Sequence, residues 1–139
     1  MFWDTSALGA VLLRESRYQE LAAPFEDDRE LTIWWATSVE CQSAIHRRHR
    51  EAPYSGLVLN QLLNDVQALA ADAYIVPPTL KLRETAGRLL GVHPLRAADA
   101  LQLAAALVWC EGQASEETFV CLDQRLRDAA RREGFRLLP

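Results

Sequence analysis

Four acidic residues stand out by where they fall along the chain: Asp4, Glu40, Asp99 and Asp123. Asp4 follows the apolar pair Phe2-Trp3 and precedes Thr5-Ser6 and a short apolar segment. Asp123 ends the run Phe119-Val120-Cys121-Leu122 and opens a helix-forming stretch. In both places a helix N-cap accounts for an aspartate, because its carboxylate accepts free N–H groups and suits the positive helix end. Glu40 closes Thr37-Ser38-Val39-Glu40, a capping-box pattern in which the glutamate reaches back to the cap residue's N–H, and taken alone that is the stronger reading of it. Asp99 is expected several residues inside a helix that begins near Leu95, on one face with Leu103 and Ala106. That helix is apolar almost all round, so an ionised carboxylate within it needs a partner. Arg96, three residues earlier, is the structural candidate for that role.

The four acids say more together than singly. If they converge, each pair of charges roughly 5 Å apart repels by about 3 kcal/mol at an effective dielectric near 20, and a cation is needed to offset this. An all-oxygen ligand set without His or Cys suits Mg2+, with Mn2+ as the alternative, and disfavours zinc. Such a site polarises a phosphodiester oxygen and lowers the pKa of a bound water, so phosphoryl hydrolysis is the natural chemistry. No Ser-His-Asp order, Gly-rich phosphate loop or HExxH helix is present to support a serine-nucleophile, triphosphatase or zinc-protease reading.

These acids must be positioned by the elements between them. Phe2 to Asp4, Leu31 to Trp34, Tyr74 to Pro77, Thr118 to Leu122 and Phe135 to Leu138 read as strands, being short, rich in β-branched or aromatic residues and bounded by turn formers or charges. Helices are expected near Ser6 to Leu13, Arg17 to Phe25, Ser38 to Glu51, Tyr54 to Ala71, Thr79 to Leu90, Leu95 to Glu111 and Gln124 to Glu133. Pro24, Pro53, Pro77-Pro78, Gly91 and Pro94 serve as punctuation. Strands separated by helices imply parallel pairing, and hence an α/β fold: a three-layer α/β/α sandwich around a mostly parallel sheet of four or five strands. Ligands of such sheets bind beyond the carboxyl ends of the strands, where Asp4 and Asp123 are expected.

At 139 residues the chain has the size of one domain, residues 1–139, with no Pro, Gly or Ser tract to divide it. Its start, Met1-Phe2-Trp3-Asp4, carries an acid where an export signal needs a basic region. The most apolar stretch, Ala100 to Cys110, is far short of the roughly 20 residues that span a bilayer. A cytoplasmic protein with no membrane association is the expectation. Three widely spaced cysteines, Cys41, Cys110 and Cys121, match neither a disulfide framework nor a CxxC zinc site, so they read as packed thiols. The formal net charge of -4 sits oddly with a nucleic-acid ligand, until four metal-binding carboxylates are taken out of the count and the balance reaches zero.

With these residues in view, the chain resembles PIN-domain proteins, and within them VapC-type toxins of toxin–antitoxin pairs. The likeness is carried by Asp4-Thr5-Ser6-Ala7-Leu8, by Glu40 opening the helix after the second strand, by Leu95 to Ala104, and by Phe119 to Leu126 followed by Ala129-Ala130 and Gly134, in order and spacing. It implies a PIN-like fold and a Mg2+-dependent endoribonuclease cutting structured RNA, with Asp4, Glu40, Asp99 and Asp123 as catalytic and metal-binding residues. Thr5 or Ser6 would be the supporting hydroxyl beside the first aspartate. A VapB-type antitoxin would hold the enzyme inactive, and a homodimer is the usual assembly. The departure from the pattern is Gln102, where the family often has His.

Secondary candidates for substrate contact are Arg47 and Arg48 in the basic run His46 to Arg50, Arg96, and Trp34. A solvated helix end explains the basic run equally, and core or interface packing explains Trp34-Trp35; strand alternation would bury one tryptophan and expose the other. Leu57, Leu62, Leu63 and Val66 could present an apolar stripe to an antitoxin helix, or pack in the core. The competing functions are a nuclease acting on DNA, an aspartyl-phosphate phosphatase, for which Ser6 stands where a second aspartate is needed, and a catalytically silent PIN-like interaction domain in which the acids are caps or salt bridges.

Overall fold

Strand and helix signals alternate along the sequence, and in the computed structural model, which describes residues 1–139, they become five strands and seven helices. In chain order these are β1 (Phe2–Trp3), α1 (Thr5–Leu12), α2 (Tyr18–Asp27), β2 (Thr32–Trp34), α3 (Thr37–Glu51), α4 (Gly56–Asp72), β3 (Tyr74–Val76), α5 (Leu80–Val92), α6 (Ala97–Trp109), β4 (Thr118–Val120), α7 (Gln124–Arg132) and β5 (Arg136–Leu138). A short 3-10 turn, Ala114–Glu116, precedes β4. All four strand pairings are parallel and the sheet order is β3-β2-β1-β4-β5, so every connection crosses over through helix. The order reverses at β1, the point where open α/β sheets form their ligand crevice.

Strand alternation sorts the side chains into two cores and so makes the three layers. Phe2, Trp34, Val76 and Phe119 face one way, against α5, α6 and α7. Trp3, Ile33 and Val120 face the other, against α1 to α4. Phe2 and Phe119, paired in register, stack with ring centroids 5.4 Å apart. The indole N–H of the wholly buried Trp3 donates to Asp28 Oδ2 at 2.8 Å, which satisfies the one polar atom β1 carries into its core. No helix is long and apolar enough to cross a membrane.

The structure moves several expected boundaries. Pro24 lies inside α2 instead of ending it: the helix runs on to Asp27, with Leu21 buried and the Phe25 ring edge-on to Trp3, so packing outweighs the missing N–H. Gly91 likewise falls within α5. The largest consequence for the site is at α6, which starts at Ala97 and not near Leu95, because Arg96 is its N-cap and is still extended (φ -83, ψ 163).

Candidate active site

Asp4, Glu40, Asp99 and Asp123 line one cleft of about 450 Å³, together with Thr5, Ser6 and Gln102. Each reaches it from the first turn, or the cap, of a helix that follows a strand or a Pro-containing turn. Asp4 caps α1, Glu40 is in the first turn of α3, Asp99 in that of α6, and Asp123 caps α7. The parallel sheet therefore brings four distant segments to one end.

Two of the individual readings exchange places. Glu40, which the sequence assigns to a capping box, does not cap: its Oε2 accepts from Thr5 Oγ1 and from Gln102 Nε2 at 2.8 Å. Asp99, read as buried too deep to cap, is the N3 residue of α6 and only half-buried, and its Oδ2 accepts from the Arg96 backbone N–H at 3.2 Å. The later start of α6 is the reason. The expected side-chain pairing of Asp99 with Arg96 is replaced by this backbone contact.

Capping leaves each carboxylate half available. Asp4 Oδ2 takes three donors, the Ser6 backbone N–H at 2.9 Å, Ser6 Oγ at 2.5 Å and Cys121 Sγ at 3.5 Å, while Oδ1 accepts none. Asp123 Oδ1 accepts from the Leu126 N–H at 3.0 Å and Oδ2 is free. Asp99 Oδ1 and Glu40 Oε1 are also without a protein donor. Four carboxylates thus have one oxygen fixed by the protein and one uncommitted.

The electrostatics of the cleft centre on Asp4. Burial pushes its carboxyl up from an ordinary 3.8 to about 6; the Ser6 and Cys121 donors work against the shift and the Glu40 charge adds to it. The Cys121 thiol, fully buried against Asp4, is pushed upward by burial first and by the Asp4 charge second, so it remains a proton donor. Cys41 is pushed up to about 12, again by burial first and then by Asp4 and Glu40. Neither thiol is a nucleophile or a soft-metal ligand near neutral pH.

Gln102, which the sequence marks only as a departure from the family pattern, takes part in the site. It is 2 % exposed, and its Nε2 reaches Thr5 Oγ1 at 2.6 Å, Glu40 Oε2 at 2.8 Å and Thr37 Oγ1 at 3.4 Å. Its Oε1 is buried with no hydrogen-bond partner. The available signal was a lone amide in an Ala/Leu helix three residues from Asp99, hence on the same face. Thr5 and Ser6, the expected supporting hydroxyls, each donate to a carboxylate of the quartet, Thr5 to Glu40 and Ser6 to Asp4.

The secondary candidates divide. Arg47 and Arg48 line the same cleft beyond Ala44, whereas Arg96 is exposed and not among its lining residues. Trp34, 5 % exposed, is part of the core packed on α6 and offers no face to a base; alternation leaves Trp35 exposed instead, outside the cleft. Of the α4 stripe, Val66 is buried and Leu62 and Leu63 pack on the second core, leaving only Leu57 exposed.

No three His, Cys, Asp or Glu side chains draw together closely enough to form a closed ligand cage. An open set of carboxylates with one free oxygen each, and no nitrogen or sulfur donor, fits a hard cation that keeps much of its water shell, as Mg2+ does. No curated protein matches the chain. A family model described as PIN domain matches residues 1–132, nearly the whole chain and all four acids of the cleft. With its parallel five-stranded sheet and carboxylate-lined crevice at the switch point of strand order, the chain belongs to the PIN domain family, whose members are typically metal-dependent nucleases.

Proposed function

We propose that residues 1–139 form a single divalent-metal-dependent endoribonuclease domain, with Asp4, Glu40, Asp99 and Asp123 as the residues that hold Mg2+ or Mn2+. The observation that carries this reading is the half-committed state of the four carboxylates: each is oriented by a protein donor, each keeps a second oxygen without one, and all four residues line one cleft. A cap or salt bridge alone accounts for the first oxygen and not for four acids with an uncommitted oxygen along one cleft. When bound, the cation would lower the pKa of a water and offset charge on the phosphoryl oxygens.

The protein's own residues do the positioning. Ser6 and Cys121 fix the Asp4 carboxylate from behind, and Thr5 with Gln102 fixes Glu40, so both acids are held before substrate arrives. Asp99 and Asp123 are steadied by backbone N–H groups at the starts of α6 and α7. The raised Asp4 pKa means that the cost of burying its charge, to which the Glu40 charge adds, is relieved by a proton at low pH, and a bound cation would relieve it at neutral pH.

RNA as substrate, and a role as the toxin of a cytoplasmic toxin–antitoxin pair, rest on the likeness of the DTSAL and DALQLA blocks to VapC-type toxins. In that reading the protein is a homodimer and a VapB-type antitoxin blocks the cleft. The test is cleavage of labelled structured RNA, with matched DNA alongside, in Mg2+, Mn2+ or chelator. RNA cleavage that needs the metal and is lost in Asp99→Asn and Asp123→Asn is expected. Absence of cleavage with either metal, or activity and growth toxicity that survive Asp99→Asn, would overturn the assignment, and equal cleavage of DNA would overturn its RNA specificity.

A further inference from the structure

The cleft has two ends of opposite charge, and metal-assisted hydrolysis uses only the acidic one. Five carboxylates and two guanidiniums line it, and both guanidiniums, Arg47 and Arg48, lie at the end away from the quartet. Glu40, Ala44, Arg47 and Arg48 follow one another at i, i+4, i+7 and i+8 along α3, which places them on one helix face. Seven residues of α-helix advance ~10 Å, so Arg47 is too far from Glu40 for one phosphate to touch both. Opposite them, α1 contributes Gly9 and Ala10 to the wall, and its C-cap Leu13 extends it. A Cβ built on Gly9 meets nothing within 4 Å, so this stretch of the cleft is open space between the acidic and basic ends.

The two arginines are not equivalent. Arg47 is exposed and has neither a hydrogen-bond nor an ion-pair partner. Arg48 is paired: its Nη2 lies 2.5 Å from Glu15 Oε1, and both side chains are substantially exposed, 49% and 37%. Glu15 itself lines the cleft. An exposed pair of this kind is weak and exchanges readily, and a guanidinium binds phosphate with the same fork geometry it offers a carboxylate.

We propose that Arg47 and Arg48 form a phosphate subsite for a polynucleotide chain running through the cleft, and that Glu15 is a resident competitor displaced from Arg48 by that phosphate. The inference rests on the nuclease reading and deepens it: the cleft engages a backbone phosphate of a nucleotide next to the one being cut, so single-stranded polymer is favoured over mononucleotide. Glu15 sets the affinity, because every bound chain has to break the Arg48 pair. It also keeps the basic end from holding small anions tightly.

The test is binding of a labelled single-stranded oligoribonucleotide, followed by fluorescence anisotropy in chelator so that no cleavage intervenes, as a function of salt. Arg47→Ala and Arg48→Ala weaken binding several-fold and each flatten the slope of log K against log salt by about 0.7. Glu15→Gln tightens binding several-fold. Arg132→Ala, the same charge change at the far end of α7, moves neither quantity. The proposal is overturned if Glu15→Gln leaves the affinity unchanged, if the arginine variants match Arg132→Ala, or if inorganic phosphate or a mononucleotide competes as well as the oligomer. Because binding is read without turnover, these results stand apart from failure of the wild-type protein to cut RNA, which would count against the nuclease reading alone.

Discussion

Replacing Asp4 by asparagine removes the charge that the fold accommodates worst. Its carboxyl is raised from 3.8 to about 6, chiefly by burial and further by Glu40. A carboxyl raised in the folded state binds protons more tightly there than in the unfolded chain. Its favourable contribution is therefore full below the unfolded pKa, near 4, and is lost as pH rises through about 6. At 1.36 kcal/mol per unit, the shift corresponds to about 3 kcal/mol of stability missing at pH 8. Asparagine keeps an oxygen for the Ser6 and Cys121 donors and carries no charge, so Asp4→Asn is expected to be more stable than the wild type at pH 8 by up to about 3 kcal/mol. For a chain of this length that is roughly 10 °C in Tm. The advantage shrinks toward zero by pH 4, where the wild-type carboxyl is protonated. Urea or thermal denaturation in chelator at both pH values measures it. Adding Mg2+ or Mn2+ then raises the wild-type Tm and leaves the variant behind. A variant equal to or weaker than the wild type at pH 8 without metal would refute the argument that Asp4 is held charged against the fold.

Gln102→Leu keeps the bulk of the side chain and removes the amide donors that hold Glu40 and Thr5. Loss of such a supporting hydrogen bond lowers metal affinity or activity about 10- to 100-fold, to be read by Mn2+ titration alongside RNA cleavage. Cys41 and Cys121 are buried and Cys110 only half-buried, though burial raises all three thiols, so an aromatic disulfide reagent at pH 8 titrates Cys110 first in the native protein and all three cysteines after denaturation. Away from the cleft, Glu133 accepts from Arg88 at 2.7 Å and pairs with the buried His93 at 2.8 Å; Glu133→Ala leaves that imidazole without a partner and is expected to cost about 1–3 kcal/mol in urea denaturation.

Much of the architecture was legible because its signals are local and repeated. Short β-branched or aromatic runs between helical stretches specify parallel crossovers, and the five strands fall where those runs are. Misjudged positions were those where tertiary contacts decide. Pro24 sits within α2 because Leu21 is buried in the second core and the partly buried Phe25 packs against it, and Trp34 is unavailable to a base because strand parity turns it toward α6. Gln102 was visible as a lone amide, yet its role depends on Thr5, Thr37 and Glu40, which lie 62 to 97 residues away in sequence.

Glu40 and Asp99 show why asking whether an acid is a cap or a ligand divides the problem wrongly. A carboxylate has two oxygens, and a helix start uses one. Asp4, Asp99 and Asp123 each give one oxygen to backbone N–H groups at a helix start, and the other stays uncommitted in a residue that lines the cleft. Glu40 does the same with side-chain donors, because its helix opens on Thr37 and its carboxylate is turned toward α1 and α6. Parallel α/β topology delivers several helix starts to one edge of the sheet, so local capping chemistry repeated there makes a shared cluster of half-free carboxylates. The cost is a buried charge, greatest at Asp4 where burial is deepest and where Glu40 adds to it. An acid cluster of that kind would give a divalent cation its foothold, and a polyanionic substrate would meet its counter-charge in Arg47 and Arg48, which line the same cleft.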